Sequence, residues 1–193
     1  MTTPPLNPPD LRHAHESQTR QFRIGRIAAV AVLAGAGLLT ALVVWAGGGG
    51  VSGLVTGFLV LLGFLLLLGV PMAISSAKEG KYEGPAGRGP SAFGQVATTA
   101  PPAQVWEAVY AALVAEGFGP PRPTDPQTVV STRSLSMASW GESITVRLQA
   151  HDGRGLVTAW SRPAYPLQWL DYGRNRRYAN AVLNAVPGAT PVR

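Results

Sequence analysis

Two apolar runs, 27–46 and 51–74, constrain this 193-residue chain more than anything else in it, and neither contains a charged residue. A helix rises ~1.5 Å per residue, so about 20 apolar residues cover the ~30 Å hydrocarbon layer of a bilayer. Both runs are long enough. As core helices of a soluble protein they would have to be covered on every side, and the remaining sequence is too short to do that.

The flanks set an orientation. Arg12, Arg20, Arg23 and Arg26 precede the first run, and Lys78, Lys81 and Arg88 follow the second. The glycines at 47–50 that connect the runs carry no charge. Short segments rich in Lys and Arg stay cytoplasmic. The expectation is therefore a multi-pass protein of the inner (plasma) membrane: a helical hairpin over 23–76, both termini cytoplasmic and the glycine turn outside. Trp45 suits an interfacial anchor, and Pro71 suits a bend near the end of the second span. A cleaved signal peptide competes for the first run. Against it stand the 26 residues in front, an apolar stretch longer than the ~7–15 residues of a signal core, and no A-x-A site behind. Gly35, Gly37, Gly53, Gly57 and Gly63 either allow close helix approach in lipid or reflect the general frequency of glycine in membrane helices.

The net charge of +6 would suggest nucleic acid, but much of it sits in the two juxtamembrane clusters. There it serves topology and attraction to anionic headgroups, so no nucleic-acid partner is expected. With no cysteine, thiolate and disulfide chemistry are excluded. Fourteen Arg against two Lys, with abundant Ala and Gly, point to a GC-rich bacterial genome. The first ten residues hold four prolines, so residues 1–22 are expected to be a disordered leader. Residues 77–91, polar and Gly-rich, read as a linker.

Beyond the linker the pattern changes to short alternating segments and amphipathic helices. Residues 93–98 form a first strand. Pro101 and Pro102 suit a helix start, Thr99 its N-cap, and Val105, Trp106, Val109, Ala112 and Leu113 its apolar face, ending at Gly117. Residues 119–126, with four prolines, read as irregular. Strands follow at 128–135, 143–150 and 155–161, the last two joined through Asp152-Gly153, a tight hairpin signal. A closing helix over 172–186 puts Tyr178, Ala179, Val182, Leu183 and Val186 on one side and Arg176, Arg177, Asn180 and Asn184 on the other. The expected domain, 92–187 followed by a tail at 188–193, is a small α+β unit with an antiparallel sheet in the order β-α-β-β-β-α.

The stretch TTAPPAQVWEAV at 98–109 resembles the first strand-to-helix junction of helix-grip (START/Bet v1-like) lipid-binding domains, whose full seven-stranded sheet this domain is too short to hold. Ser161-Arg162 followed by Asp171-x-Gly173-x-Asn175-x-Arg177 resembles the C-terminal motif of a bacterial family known only as a domain of unknown function, with a longer spacer here. That resemblance implies no reaction.

Asp171 and Asn175 are expected to be structural, Asp171 as an N-cap at the positive end of the helix dipole and Asn175 facing the core, satisfied by neighbouring backbone. Arg174, Arg176 and Arg177 crowd the same first turns, where cations oppose the dipole. Either they bind an anion, such as a phospholipid headgroup, at the helix N-terminus, or Asp171 and Glu142 screen them while their stems pack on Trp169 and Tyr172. His13, His15 and His151 make no metal set, no G-x-S-x-G turn is present, and no paired carboxylates suggest acid–base work. The expectation is thus no enzyme, no metal and no cofactor. The domain would bind another membrane protein or assist assembly; the alternative is a lipid or apolar small ligand held between sheet and helix, with an anionic headgroup near the arginines.

Overall fold

The computed structural model describes residues 8–79, 84–87, 90–134, 141–165 and 173–192. Helix α1, Pro8–Val44, and helix α2, Gly50–Glu79, are joined by a wide turn over Trp45–Gly49 in which Gly48 takes φ 88°. Both helices are long and apolar enough to cross a membrane, and their apolar portions are almost wholly exposed. Pro71 lies inside α2. Thr40 and Thr56 satisfy their hydroxyls within their own helices, donating to the carbonyls of Ala36 (2.8 Å) and Ser52 (2.9 Å). That removes polar groups lipid could not satisfy. The two helices meet where small residues allow it: a Cβ at Gly57 would stand 2.2 Å from the Cβ of Ala41, whereas one at Gly35 or Gly63 would touch nothing. Close approach therefore explains Gly57 and does not explain Gly35 or Gly63.

Residues 8–22, expected to be disordered, are helical and belong to α1. Pro8 and Pro9 sit at the helix start, where missing N–H groups cost nothing, and the sequence behind them is rich in good helix formers. This part of α1 is anchored to the domain. Leu11 and Phe22 are buried. Arg12 donates to Gln95 Oε1 (3.2 Å), and His15 stacks on Phe93 and shares a hydrogen bond with Ser91 Oγ (3.0 Å).

The domain holds β1 (Ala92–Thr98), α3 (Pro102–Ala115), β2 (Arg122–Asp125), β3 (Thr128–Arg133), β4 (Glu142–His151), β5 (Arg154–Pro163), α4 (Arg174–Ala185) and β6 (Thr190–Pro191). All six strands form one antiparallel sheet, ordered β2-β3-β4-β5-β1-β6. Two strands were missed by the pattern. The irregular reading of 119–126 gives way to β2 and the tail reading of 188–193 to β6, because both are edge strands, where a proline withholds no ladder N–H that a neighbour needs. The hairpin at Asp152-Gly153 forms with both residues at positive φ, 49° and 73°, the two-residue turn that matches strand twist.

Alternation decides what each face carries. Val96, Val129, Ile144, Val146, Leu148, Val157 and Ala159 point to α3 and α4 and join Val105, Val109, Leu113, Tyr178, Val182 and Leu183 in one core. Phe93, Gln95, Thr158 and Trp160 point the other way, toward the start of α1. Helix α3 stops at Gly117 (φ 76°), where the Phe118 N–H bonds back to Leu113 O and that of Gly117 to Val114 O, a glycine C-cap. Its start differs from expectation: Pro101, not Thr99, occupies the N-cap position, with no side-chain cap bond. The hydroxyl of Thr98 instead accepts from Ala100 N (3.0 Å) and donates to Pro187 O.

The linker reading also needs correction. Residues 84–87 are strapped to α4: Ala86 is buried, its N–H donates to Asn180 Oδ1 (2.8 Å), and its carbonyl accepts from Arg176 Nε (3.1 Å). Arg176 and Asn180, placed on the solvent side by the helical wheel, are 8% and 4% exposed. The wheel finds the arc facing the sheet; it cannot see a strap that covers the neighbouring arc.

Candidate functional site

Helix α4 brings the expected site residues together in sequence and separates them in space. Gly173, at φ 76°, occupies its N-cap position without a side-chain cap bond; Asp171, Trp169 and Tyr172 lie outside the described residues. Asn175 is fully buried, as expected, and it cross-links neighbouring segments. Its Nδ2 donates to Pro90 O (2.7 Å) and its Oδ1 accepts from Ser161 Oγ (2.7 Å), tying the strap and β5 to the helix.

The three arginines diverge. Arg174 reaches the buried carboxylate of Glu142 (3.8 Å), Arg176 holds the Ala86 carbonyl, and Arg177 pairs with Glu116 (2.7 Å), the residue that caps the end of α3. Arg133, from β3, donates to the Tyr178 hydroxyl. Burial, reinforced by the nearby Glu142 carboxylate, pushes the Tyr178 phenol above its usual value. A carboxylate at Glu142 that is only 1% exposed must be matched by a cation, and Arg174 supplies it. The conflict with the helix dipole is therefore eased by two glutamates and a carbonyl from within the chain, each engaging a different guanidinium group.

Buried residues of the sheet and helices form one core, and an open groove lies at one end of the domain. It measures about 560 Å³ and runs between the start of α3 and the β4–β5 hairpin, lined by Pro101, Pro102, Trp106, Gln127, Leu148 and Arg154. Trp106 leads out of it along α3: its ring lies 6.1 Å from that of Tyr110, and Tyr110 and Val114 are exposed. Positions 106, 110 and 114 are spaced i, i+4, i+8 and so share one helix face. Trp106 belongs to the apolar face predicted for α3 and packs at the margin of the core, whereas Tyr110 and Val114 were not singled out in the sequence; their signal is the helical spacing that continues from Trp106.

A second, smaller hollow of about 370 Å³ follows one face of α1 and is lined by His15, Glu16, Thr19, Arg20 and Arg23. Burial holds the His15 imidazole below its ordinary value, against the opposing pull of Glu16. Among the described residues no three His, Cys, Asp or Glu side chains come together in a way that could hold a metal ion. Comparison of the chain with protein-family models, with characterised proteins and with solved structures gives no match.

Proposed function

We propose that this chain is a two-span protein of the bacterial inner membrane, with both termini cytoplasmic, whose α+β domain is a non-enzymatic docking module for another membrane protein. The observation that carries the reading is the groove at the start of α3 and its continuation along Trp106, Tyr110 and Val114. Exposed aromatic and aliphatic side chains that form a continuous surface over a filled core favour a protein partner.

The attachment of the domain narrows the class of partner. Helix α2 ends at Glu79 and the strap lies against Asn180 from residue 84, so at ~3.5 Å per residue the domain lies within about 17 Å of the end of α2. The start of α1 holds it again through Arg12 and His15. A domain tied twice cannot sweep the cytoplasm; it offers its groove to what lies next to it in the membrane. The apolar-ligand reading keeps one observation in its favour, a groove within the ~300–1,000 Å³ usual for small-molecule sites, but its openness suits a peptide surface better.

A photo-crosslinking residue at Tyr110, compared with one at Asn184, tests the reading in intact membranes. A discrete adduct from position 110 that is lost on Val114→Asp, with none from position 184, is expected. No adduct, together with a small-molecule mass retained by the purified protein and lost on Trp106→Ala, would replace the partner reading by the ligand one.

A further inference from the structure

Resting on the membrane reading, we propose that the hollow along α1 binds the phosphate of an anionic phospholipid from the leaflet on the domain's side. Its place on the helix gives the first argument. The apolar run begins at residue 27, so at ~1.5 Å per residue Arg23 stands about 6 Å and Arg20 about 10 Å outside it. Those heights straddle the outer edge of the headgroup layer, which adds about 5–8 Å on each side of the hydrocarbon.

Charge gives the second. Arg20 and Arg23, three apart on one helix face, make no ion pair with a carboxylate among the described residues. Glu16, the one acidic side chain among the described lining residues, lies near His13 (3.7 Å) and about 16 Å above the apolar run, on the side away from the lipid. Among the described residues the membrane end of the hollow is thus cationic and its far end is not. Thr19 Oγ1, buried and without a hydrogen-bond partner, lines the same recess and offers a hydroxyl to a phosphate oxygen. At ~30 Å³ per water, 370 Å³ is room for about a dozen waters, which accommodates a phosphate and the glycerol beside it.

Native mass spectrometry of the full chain in detergent, offered equal phosphatidylglycerol and phosphatidylethanolamine, tests this, after a carbonate wash has shown the protein to be membrane-integrated. One phosphatidylglycerol per chain should be retained, and retention should fall about thirtyfold in Arg20→Gln/Arg23→Gln. Arg20→Lys/Arg23→Lys should keep most of it, and thermal melts of both variants should match the wild type, since both side chains are exposed. Equal retention of the two lipids, or undiminished retention by the Gln variant, would overturn the proposal while leaving the membrane reading intact. Displacement of the lipid by millimolar inorganic phosphate would make the site one for a free anion and would overturn it too. Extraction of the protein by carbonate would remove both readings at once.

Discussion

Replacing Asn180 by Ala tests whether the strap is part of the folded domain. The Asn180 amide is 4% exposed and its oxygen accepts the Ala86 N–H at 2.8 Å. Truncation leaves that N–H buried without a partner, a loss of about 1–3 kcal/mol. For a unit of about 100 residues each kcal/mol shifts the melting midpoint by roughly 4–8 °C, so a central 2 kcal/mol predicts a fall of about 8–16 °C. Asn180→Asp keeps the acceptor oxygen facing Ala86 and Arg176 and should lose less than half as much. The assay is a thermal melt of the full chain in detergent, followed by near-ultraviolet dichroism. A midpoint within about 2 °C of wild type for Asn180→Ala would refute the strap and restore a free linker.

Two further expectations follow from the same contacts. Gly57→Ala would bring two Cβ atoms to 2.2 Å, more than 1 Å inside the ordinary ~3.5–4.0 Å carbon contact, so it should lower the midpoint of SDS-induced unfolding, while Gly63→Ala, which meets nothing, should leave it unchanged; equal effects would contradict the helix contact. The docking of α1 should weaken in acid: Trp160 Nε1 donates to Ser91 Oγ (2.8 Å), which leaves the Ser91 proton for His15 Nδ1, an acceptor only when unprotonated. Burial lowers the folded pKa of His15 from 6.5, so the unfolded chain binds the proton first, and the stabilisation is full above pH 6.5 and is lost as pH falls below it. A stability–pH curve through pH 5–7 that is the same in His15→Gln as in wild type would contradict this, since His13 and His151 are exposed.

What the sequence made legible was whatever one periodicity could decide. The apolar runs, the core arc of α4 from Tyr178 to Val186, the alternation of β4 and the glycine stop of α3 all follow from burial of one face against one neighbour. Arg176 and Asn180 were harder because each is polar and each is buried by the strap, which carries no repeating pattern, whereas Asn175 lies on the core side where the wheel put it. The leader was misread because its prolines dominate the composition, although Leu11 and Phe22 lie three helical turns apart on one helix and are both buried. The prolines that argued against structure at 119–126 argued only against a central strand, and the two-residue β6 is too short to show a pattern in the tail. For the arginines of α4, the sequence exposed a real conflict with the helix dipole; it could not show that Glu142 and Glu116, distant in sequence, resolve it.

The central claim is a cytoplasmic domain carried by a two-span hairpin, and the chain's lack of cysteine makes one measurement direct. Ser91, at 1% exposure and bonded to Trp160, is unsuited to labelling. Gly47, where a Cβ meets nothing, and the exposed Gln104 are suited to it. A membrane-impermeant maleimide added to intact cells should label Gly47→Cys at once and Gln104→Cys only after permeabilisation. Labelling of Gln104→Cys in intact cells with protection of Gly47→Cys would contradict the account.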